Sequence, residues 1–77
     1  MDDELMTEQV QIERKQFSFS LRENPRGRFL RVTEDVGGRR DTIIIPATGL
    51  EEIQRVLGNV IAASNEAGPA KEPPQDS

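Results

Sequence analysis

The sequence predicts an α+β fold in which three or four antiparallel strands precede one amphipathic helix. Apolar and polar residues alternate along much of the first half of the chain, and apolar residues recur at helical spacing after residue 49. The chain has 77 residues, enough for one small domain that buries a modest share of its surface. Help from a second copy is therefore expected.

Alternation predicts the first two strands. The stretch QVQIE, residues 9–13, alternates apolar and polar side chains. The stretch KQFSFSLRE alternates more regularly, because Phe17, Phe19 and Leu21 share one face and polar residues share the other. The second strand is therefore expected to be half-buried.

A hairpin turn and a third strand follow. The turn NPRG combines a proline of fixed φ with a glycine that tolerates positive φ. The stretch RFLRVTEDV then places Leu30 and Val32 on one face, and Phe29 and Arg31 on the other. The stretch GGRRD predicts a second loop.

The continuous apolar run TIIIP predicts a strand that is covered on both faces. After Pro46 the pattern becomes helical, and Thr48 and Glu51 have the spacing of a capping box. The helix is expected to lay one apolar stripe on the sheet, and Gly58 is expected to weaken its middle or to mark a close crossing. The stripe comprises Leu50, Ile53, Val56, Leu57, Val60 and Ile61.

One helix cannot cover both faces of the isoleucine strand, so the sequence predicts a homodimer in which the surplus face meets a second copy. The alternative is a monomer in which Ile43 or Ile45 lies under the N-terminal segment.

Charge is distributed unevenly along the chain. The formal net charge is −4, but residues 14–45 carry eight Lys and Arg against four Asp and Glu, while both flanks are acidic. The local field of the basic segment governs attraction of a polyanion. Charge runs are also common on solvated surfaces, and that reading stays open.

The residue inventory argues against an enzyme. The chain has no Cys, His, Trp or Tyr, which excludes disulfides, thiolate zinc sites and histidine bases. Adjacent carboxylates such as Glu51 and Glu52 diverge on a helix, so no catalytic residue, metal site or cofactor is expected. No run resembles a signal peptide or reaches the ~20 apolar residues of a membrane span. An intracellular protein, cytoplasmic or in the nucleoid or nucleus, is expected.

Phe29 falls out of phase with the apolar alternation. An aromatic ring among arginines and small polar side chains suits a single-stranded nucleic acid, because bases stack on the ring and guanidinium groups bind phosphates. The alternative is that Phe29 packs on the surplus apolar face in a contact between copies. The candidate nucleic-acid-binding residues are Phe29, Arg22, Asn24, Arg26, Arg28, Arg31 and Ser18.

The segments KQFSFSLRENPRGRFLRVTE and RRDTIIIPATGLEEI together resemble the PUR repeat of the purine-rich-element-binding, Pur-alpha-like proteins. The resemblance covers roughly residues 9–62 and implies a four-stranded antiparallel sheet followed by one helix, similar to the Whirly proteins. It also implies an intertwined homodimer of two repeats. Arg22, Asn24, Arg26 and Phe29 match the family's nucleic-acid-contacting positions.

The resemblance implies a regulator that binds single-stranded DNA or RNA, prefers purine-rich, G-rich sequence, and acts in transcription regulation. The alternative is an assembly module that uses the same dimer to bind an acidic protein. Residues 1–8 are expected to form an acidic, partly disordered segment, residues 9–64 a single PUR repeat, and residues 65–77 a disordered, acidic, Pro-rich tail.

Overall fold

The computed structural model of the chain describes residues 2–69, and the predicted α+β fold of four antiparallel strands and one helix is confirmed. The sheet has the strand order β1-β2-β3-β4. Its elements are β1 (Asp3–Ile12), β2 (Lys15–Asn24), β3 (Gly27–Val36), β4 (Arg39–Pro46), a 3-10 turn (Ala47–Gly49) and α1 (Leu50–Glu66).

Two-residue turns join the neighbouring strands and fix their register. The last pairs before the three turns are Ile12 with Lys15, Asn24 with Gly27, and Val36 with Arg39. In the turn between β3 and β4, Gly37 and Gly38 have φ values of 59° and 90°. Two successive positive φ values match the twist of a tight hairpin, and glycine adopts them without steric cost.

The register divides the sheet into two faces. The apolar face is defined by two rows of paired residues, Phe19–Val32–Ile43 and Leu21–Leu30–Ile45. The polar face is defined by the alternating rows, which are Arg22–Phe29–Pro46, Ser20–Arg31–Ile44 and Ser18–Thr33–Thr42.

Strand β1 is longer than the sequence predicted. It begins at Asp3 rather than at residue 9, so it includes acidic residues that the sequence analysis placed before the sheet. It pairs with β2 at the edge opposite β4, with a bulge between Glu4 and Met6. The monomer in which the N-terminal segment covers Ile43 or Ile45 is therefore wrong for the described residues.

The helix does not cover its own sheet, and the expectation that it would is wrong within one chain. Helix α1 approaches the 3-10 turn and leaves the strands largely uncontacted. Its stripe residues from Ile53 to Ile61 are between 41% and 59% exposed. The capping box is also wrong, because Gly49 is the N-cap and no side chain caps the helix. Thr48 lies inside the 3-10 turn instead.

No side chain is fully buried in the described residues of a single chain. Ile43 on the apolar face and Ile44 on the polar face are 59% and 54% exposed, so the coverage predicted for both faces of β4 is absent within one chain. The apolar face and the helix stripe thus offer surface that this chain does not bury. No helix in residues 2–69 has the length and apolarity needed to cross a membrane.

The C-terminal end of the helix extends slightly beyond its expected limit. Asn65 and Glu66, assigned to the tail from the sequence, belong to α1. The prediction for the tail otherwise falls largely on residues 70–77, which lie outside the described residues.

Two Gly→Ala substitutions are expected to have opposite effects on stability. A Cβ atom at Gly58 meets no atom within 4 Å, and Gly58→Ala should raise the free energy of unfolding by about 0.5–1 kcal/mol because alanine favours the helix. Gly38→Ala also meets no atom, but its φ of 90° should cost about 1–2 kcal/mol. Urea unfolding at one protein concentration measures both changes. A destabilising Gly58→Ala would show that another element packs closely there.

Candidate nucleic-acid interface

Phe29 lies on the polar face, as strand alternation predicted. It is paired with Arg22 on β2 and with Pro46 on β4, while its neighbour Leu30 lies on the apolar face. The ring is half-buried in the sheet surface, and α1 leaves the strands largely uncontacted. An arginine and a proline therefore flank the ring within a row across three strands. The alternative, in which Phe29 packs in a contact between copies, stays a prediction because a single chain does not test it.

Arg22 is surrounded by polar groups and is only 20% exposed in its side chain. Its Nη1 donates a hydrogen bond to Ser20 Oγ at 3.2 Å. Two carboxylates, one just before β1 and one at its start, face the same guanidinium: Asp2 Oδ2 lies 3.6 Å from Nε, and Glu4 Oε1 lies 3.7 Å from Nη1. The positive charge next to Phe29 is thus partly neutralised from within the chain.

Arg31 lies in the next row, between Ser20 on β2 and Ile44 on β4. Its side chain is exposed, and no carboxylate or hydrogen-bond acceptor pairs with its guanidinium in residues 2–69. A long, exposed, uncompensated arginine beside an aromatic ring has its donors available for an anion.

Ser18 belongs to a row of small polar side chains that crosses the whole sheet. Register aligns it with Gln9 on β1 and Thr33 on β3, and Thr33 is aligned with Thr42 on β4. The hydroxyl oxygens of Thr33 and Thr42 are 3.3 Å apart and form a hydrogen bond. These groups can both donate and accept hydrogen bonds, as base edges require.

Asn24 has a structural role that the sequence analysis did not assign. Its Oδ1 accepts hydrogen bonds from the backbone N–H groups of Arg26, at 2.9 Å, and Gly27, at 3.2 Å. This side chain therefore closes the turn between β2 and β3. Its Nδ2 donates to Asp2 Oδ1 at 3.2 Å. Arg26 is exposed at the tip of the turn.

Arg28 does not join the other candidates. It is paired with Glu23 in a row that continues the apolar face, on the opposite side of the sheet from Phe29. Both its Nε and Nη2 lie 2.9 Å from Glu23 Oε1. The expectation that Arg28 lies close to the ring was wrong, because a position one residue before Phe29 in the strand alternates to the other face.

Two apolar residues that the sequence analysis did not select lie beside the candidates on the polar face. Pro46 is aligned with Phe29, and Ile44 is aligned with Arg31. Alternation along TIIIP would have separated Ile44 from Ile43 and Ile45, but the interpretation of this run as covered on both faces hid that difference. Together with Phe29 these residues form an apolar strip bordered by arginines.

The segment TEDVGG contains the last four residues of β3 and the two-residue turn to β4. Asp35 Oδ1 accepts from the Gly38 N–H at 3.1 Å, and Asp35 Oδ2 accepts from Arg40 Nε at 3.1 Å. Glu34 Oε2 lies 2.8 Å from Lys15 Nζ. These carboxylates are therefore engaged by the fold itself, and no cluster of three metal-ligating side chains occurs in the described part of the chain.

Comparison with known proteins gives the class of this fold and surface. A family model described as PurA ssDNA and RNA-binding protein matches residues 1–76. The chain therefore belongs to the PurA family, and the resemblance seen in the sequence is confirmed.

Individual relatives agree with this assignment. The Transcription factor Pur-alpha 1 of Arabidopsis thaliana is 47% identical over 49 residues, which are 64% of this chain and 17% of that protein. The Transcriptional activator plp-1 of Caenorhabditis elegans is 35% identical over 80% of this chain and 29% of that protein. The human Transcriptional activator protein Pur-alpha is 30% identical over 91% of this chain and 22% of that protein. The chain thus spans less than a third of the length of these relatives.

The turn role of Asn24 can be tested separately from nucleic-acid binding. Asn24→Ala removes the acceptor for two backbone N–H groups and should lower the free energy of unfolding by about 1 kcal/mol. Asn24→Asp keeps the acceptor and should stay close to wild type at about 0.5 M salt, where repulsion from Asp2 is screened. Thermal unfolding of both variants measures the difference. Equal losses would contradict the turn role.

Proposed function

We propose that two copies of this chain assemble into an intertwined dimer that binds single-stranded DNA or RNA along the polar face. The observation that carries this proposal is the position of Phe29, an aromatic ring set outside the apolar face between Arg22 and Pro46. Stacking of a base on such a ring contributes about 1–3 kcal/mol and tolerates any base. A duplex presents no free base face, so single strands are preferred.

Electrostatics on the polar face support the same proposal. The guanidinium groups of Arg28, Arg40 and Arg55 are held by carboxylates of their own chain. Arg31 and Arg26 have no such partner in residues 2–69, and both are exposed. Arg31, in the row next to the ring, and Arg26, in the adjoining turn, are thus available to phosphates, which bind guanidinium groups through paired hydrogen bonds.

Base preference is assigned to the polar row beyond the arginines. Ser18, Thr33 and Thr42 present hydroxyl groups on the same face as Phe29, two rows further along the strands. A base stacked near the ring has neighbours that can reach this row with their edges. The leaning to purine-rich sequence is carried over from the family resemblance, and Ser18 is the candidate contact. Asn24 can contribute only through Nδ2, because its Oδ1 is committed to the turn.

Dimerisation is supported by the surface that one chain leaves uncovered. The apolar face exposes Val10, Ile12 and Ile43, and the helix stripe is exposed in the same molecule. Because α1 does not lie on its own sheet, its stripe can cover the apolar face of a second copy. Two-fold symmetry then gives the reverse contact, in which the stripe of the second copy covers the apolar face of the first. This exchange would supply the interior that a single chain lacks.

The biological role that we propose is regulation of gene expression inside the cell, in the cytoplasm, nucleoid or nucleus. The relatives in Arabidopsis thaliana and Homo sapiens are named as a transcription factor and a transcriptional activator. A binder of exposed single strands requires neither a metal nor a cofactor for this role. Its ligand is recognised by stacking, phosphate contacts and hydroxyl groups alone.

Titration of a labelled purine-rich single strand against its duplex, at about 50 mM and 200 mM salt, tests the proposed function. We expect tighter binding of the single strand and weaker binding at higher salt. Phe29→Ala should weaken binding of the single strand by about 5- to 150-fold, as expected for loss of one stacked base. Phe29→Trp should retain most of the affinity, because it keeps an aromatic surface.

Circular dichroism and dimer mass serve as controls for Phe29→Ala. If the variant dissociates or unfolds, the ring contributes to folding or assembly and the site assignment fails. If the wild-type protein binds neither strand at low salt, the alternative of an assembly module with an acidic protein partner is favoured.

Adjacent isoleucines allow a matched test of the two faces. Ile43→Asp places a charge on the apolar face and should convert the dimer to monomer. Burial of an unpaired carboxylate in the dimer contact would cost roughly several kcal/mol. Ile44→Asp makes the same change at nearly equal exposure on the polar face. It should keep the dimer and weaken binding of the single strand. Sedimentation gives the mass, and loss of the dimer in both variants or in neither would contradict the assignment of faces.

A further inference from the structure

The N-terminal residues 2–4, here called the acidic arm, run along β2 and reach the candidate site. Asp2 and Glu4 both face the Arg22 guanidinium, at 3.6 Å and 3.7 Å. Asp2 also accepts the hydrogen bond that Asn24 donates through Nδ2. The arm therefore presents two carboxylates where the proposed function would require phosphate oxygens.

The carboxylates of the acidic arm attract the Arg22 guanidinium but do not accept hydrogen bonds from it. Distances of 3.6 Å and 3.7 Å are ion pairs but exceed the length of an N–H···O hydrogen bond. Arg22 Nε is shielded from solvent and has no hydrogen-bond partner in the described structure. Phosphate oxygens can take such donors with shorter charge-assisted bonds. A phosphate thus gains contacts that the carboxylates do not make.

The local backbone allows the acidic arm to separate from the sheet. β1 is an edge strand, and a bulge between Glu4 and Met6 interrupts its pairing with β2. Beyond the bulge, only Asp3 and Glu4 are paired, with Glu23 and Arg22. Bulges mark places where a strand changes direction or ends its pairing. The remainder of β1, from Met6 to Ile12, has its own continuous pairing with β2 on the other side of the bulge.

We propose that the acidic arm is an internal competitor for nucleic acid, in which Asp2 and Glu4 occupy the Arg22 site of the free protein and phosphates displace them. This inference rests on the proposed function. The free protein then exists as arm-bound and arm-released forms, and only the released form offers Arg22 to a ligand. Apparent affinity is lowered by the fraction of released protein, as in any competition between conformations.

β1 provides two other carboxylates for a matched control variant. Asp3 and Glu8 belong to the same strand but are aligned with Glu23 and Phe19, in rows of the apolar face. The double variant Asp2→Asn with Glu4→Gln and the double variant Asp3→Asn with Glu8→Gln therefore remove equal charge from the same segment. Only the first removes it from the Arg22 side. Any difference between the two reports a contact at the site and not the net charge.

Affinity of both double variants for a labelled purine-rich single strand tests the inference. We expect the Asp2→Asn, Glu4→Gln variant to bind about three- to tenfold more tightly than the control variant at about 50 mM salt, as removal of two partly exposed ion pairs predicts. The gap should narrow at about 200 mM salt, because salt screens the competing carboxylates. In an Arg22→Ala background the same two changes should give no advantage, because the group they mask is absent.

Three results separate failure of this inference from failure of the proposed function. If the wild-type chain binds and both double variants bind equally, the acidic arm is not a competitor. If an advantage persists in the Arg22→Ala background, the arm acts elsewhere and the assignment to Arg22 is overturned. If neither the wild type nor either variant binds, the proposed function fails, and this inference fails with it.

A measurement without nucleic acid checks the contact itself. The NMR resonance of the Arg22 Nε–H group should shift in the Asp2→Asn, Glu4→Gln variant and stay in place in the Asp3→Asn, Glu8→Gln variant. Equal positions in all three proteins would show that the arm does not lie against Arg22 in solution, which would overturn the inference whatever the affinities are.

Discussion

The register of one antiparallel sheet determines which side chains lie on each of its two faces. Turns of two residues fix how neighbouring strands are aligned. A shift of the register by one residue would move every side chain of a strand to the opposite face. With the observed pairing, Leu30 is opposite Leu21 and Ile45, while Phe29 is opposite Arg22 and Pro46. One ring and two arginines are thereby kept apart from the apolar face. The candidate site exists because of this alternation.

Features that depend on local alternation could be predicted from the sequence. The faces of Phe29, Leu30 and Arg31 follow from a period of two, which any extended strand imposes. Arg28 obeys the same rule, because it lies one residue before Phe29 and therefore points to the opposite face. Its position next to the turn suggested a place near the ring, but alternation along the strand decides which face it occupies. Ile44 was overlooked for a related reason, since an unbroken apolar run conceals which member points to which side.

Features that depend on tertiary contacts could not be predicted in this way. The apolar stripe of α1 is evident from the sequence, but nothing in the stripe specifies whether it packs on its own sheet or on another chain. The capping residue was missed because a 3-10 turn precedes the helix and moves its first residue to Leu50. β1 extends to Asp3 even though its N-terminal half lacks a regular apolar alternation, because pairing with β2 satisfies its backbone.

The lack of a buried side chain within the described residues of one chain has a consequence for how the protein behaves on dilution. In the proposed assembly, burial of apolar surface and association are the same event, so folding follows the law of mass action. The concentration of folded dimer is then proportional to the square of the concentration of unassembled chains. A cell that makes twice as much of this protein would gain more than twice the folded form whenever most chains are unassembled.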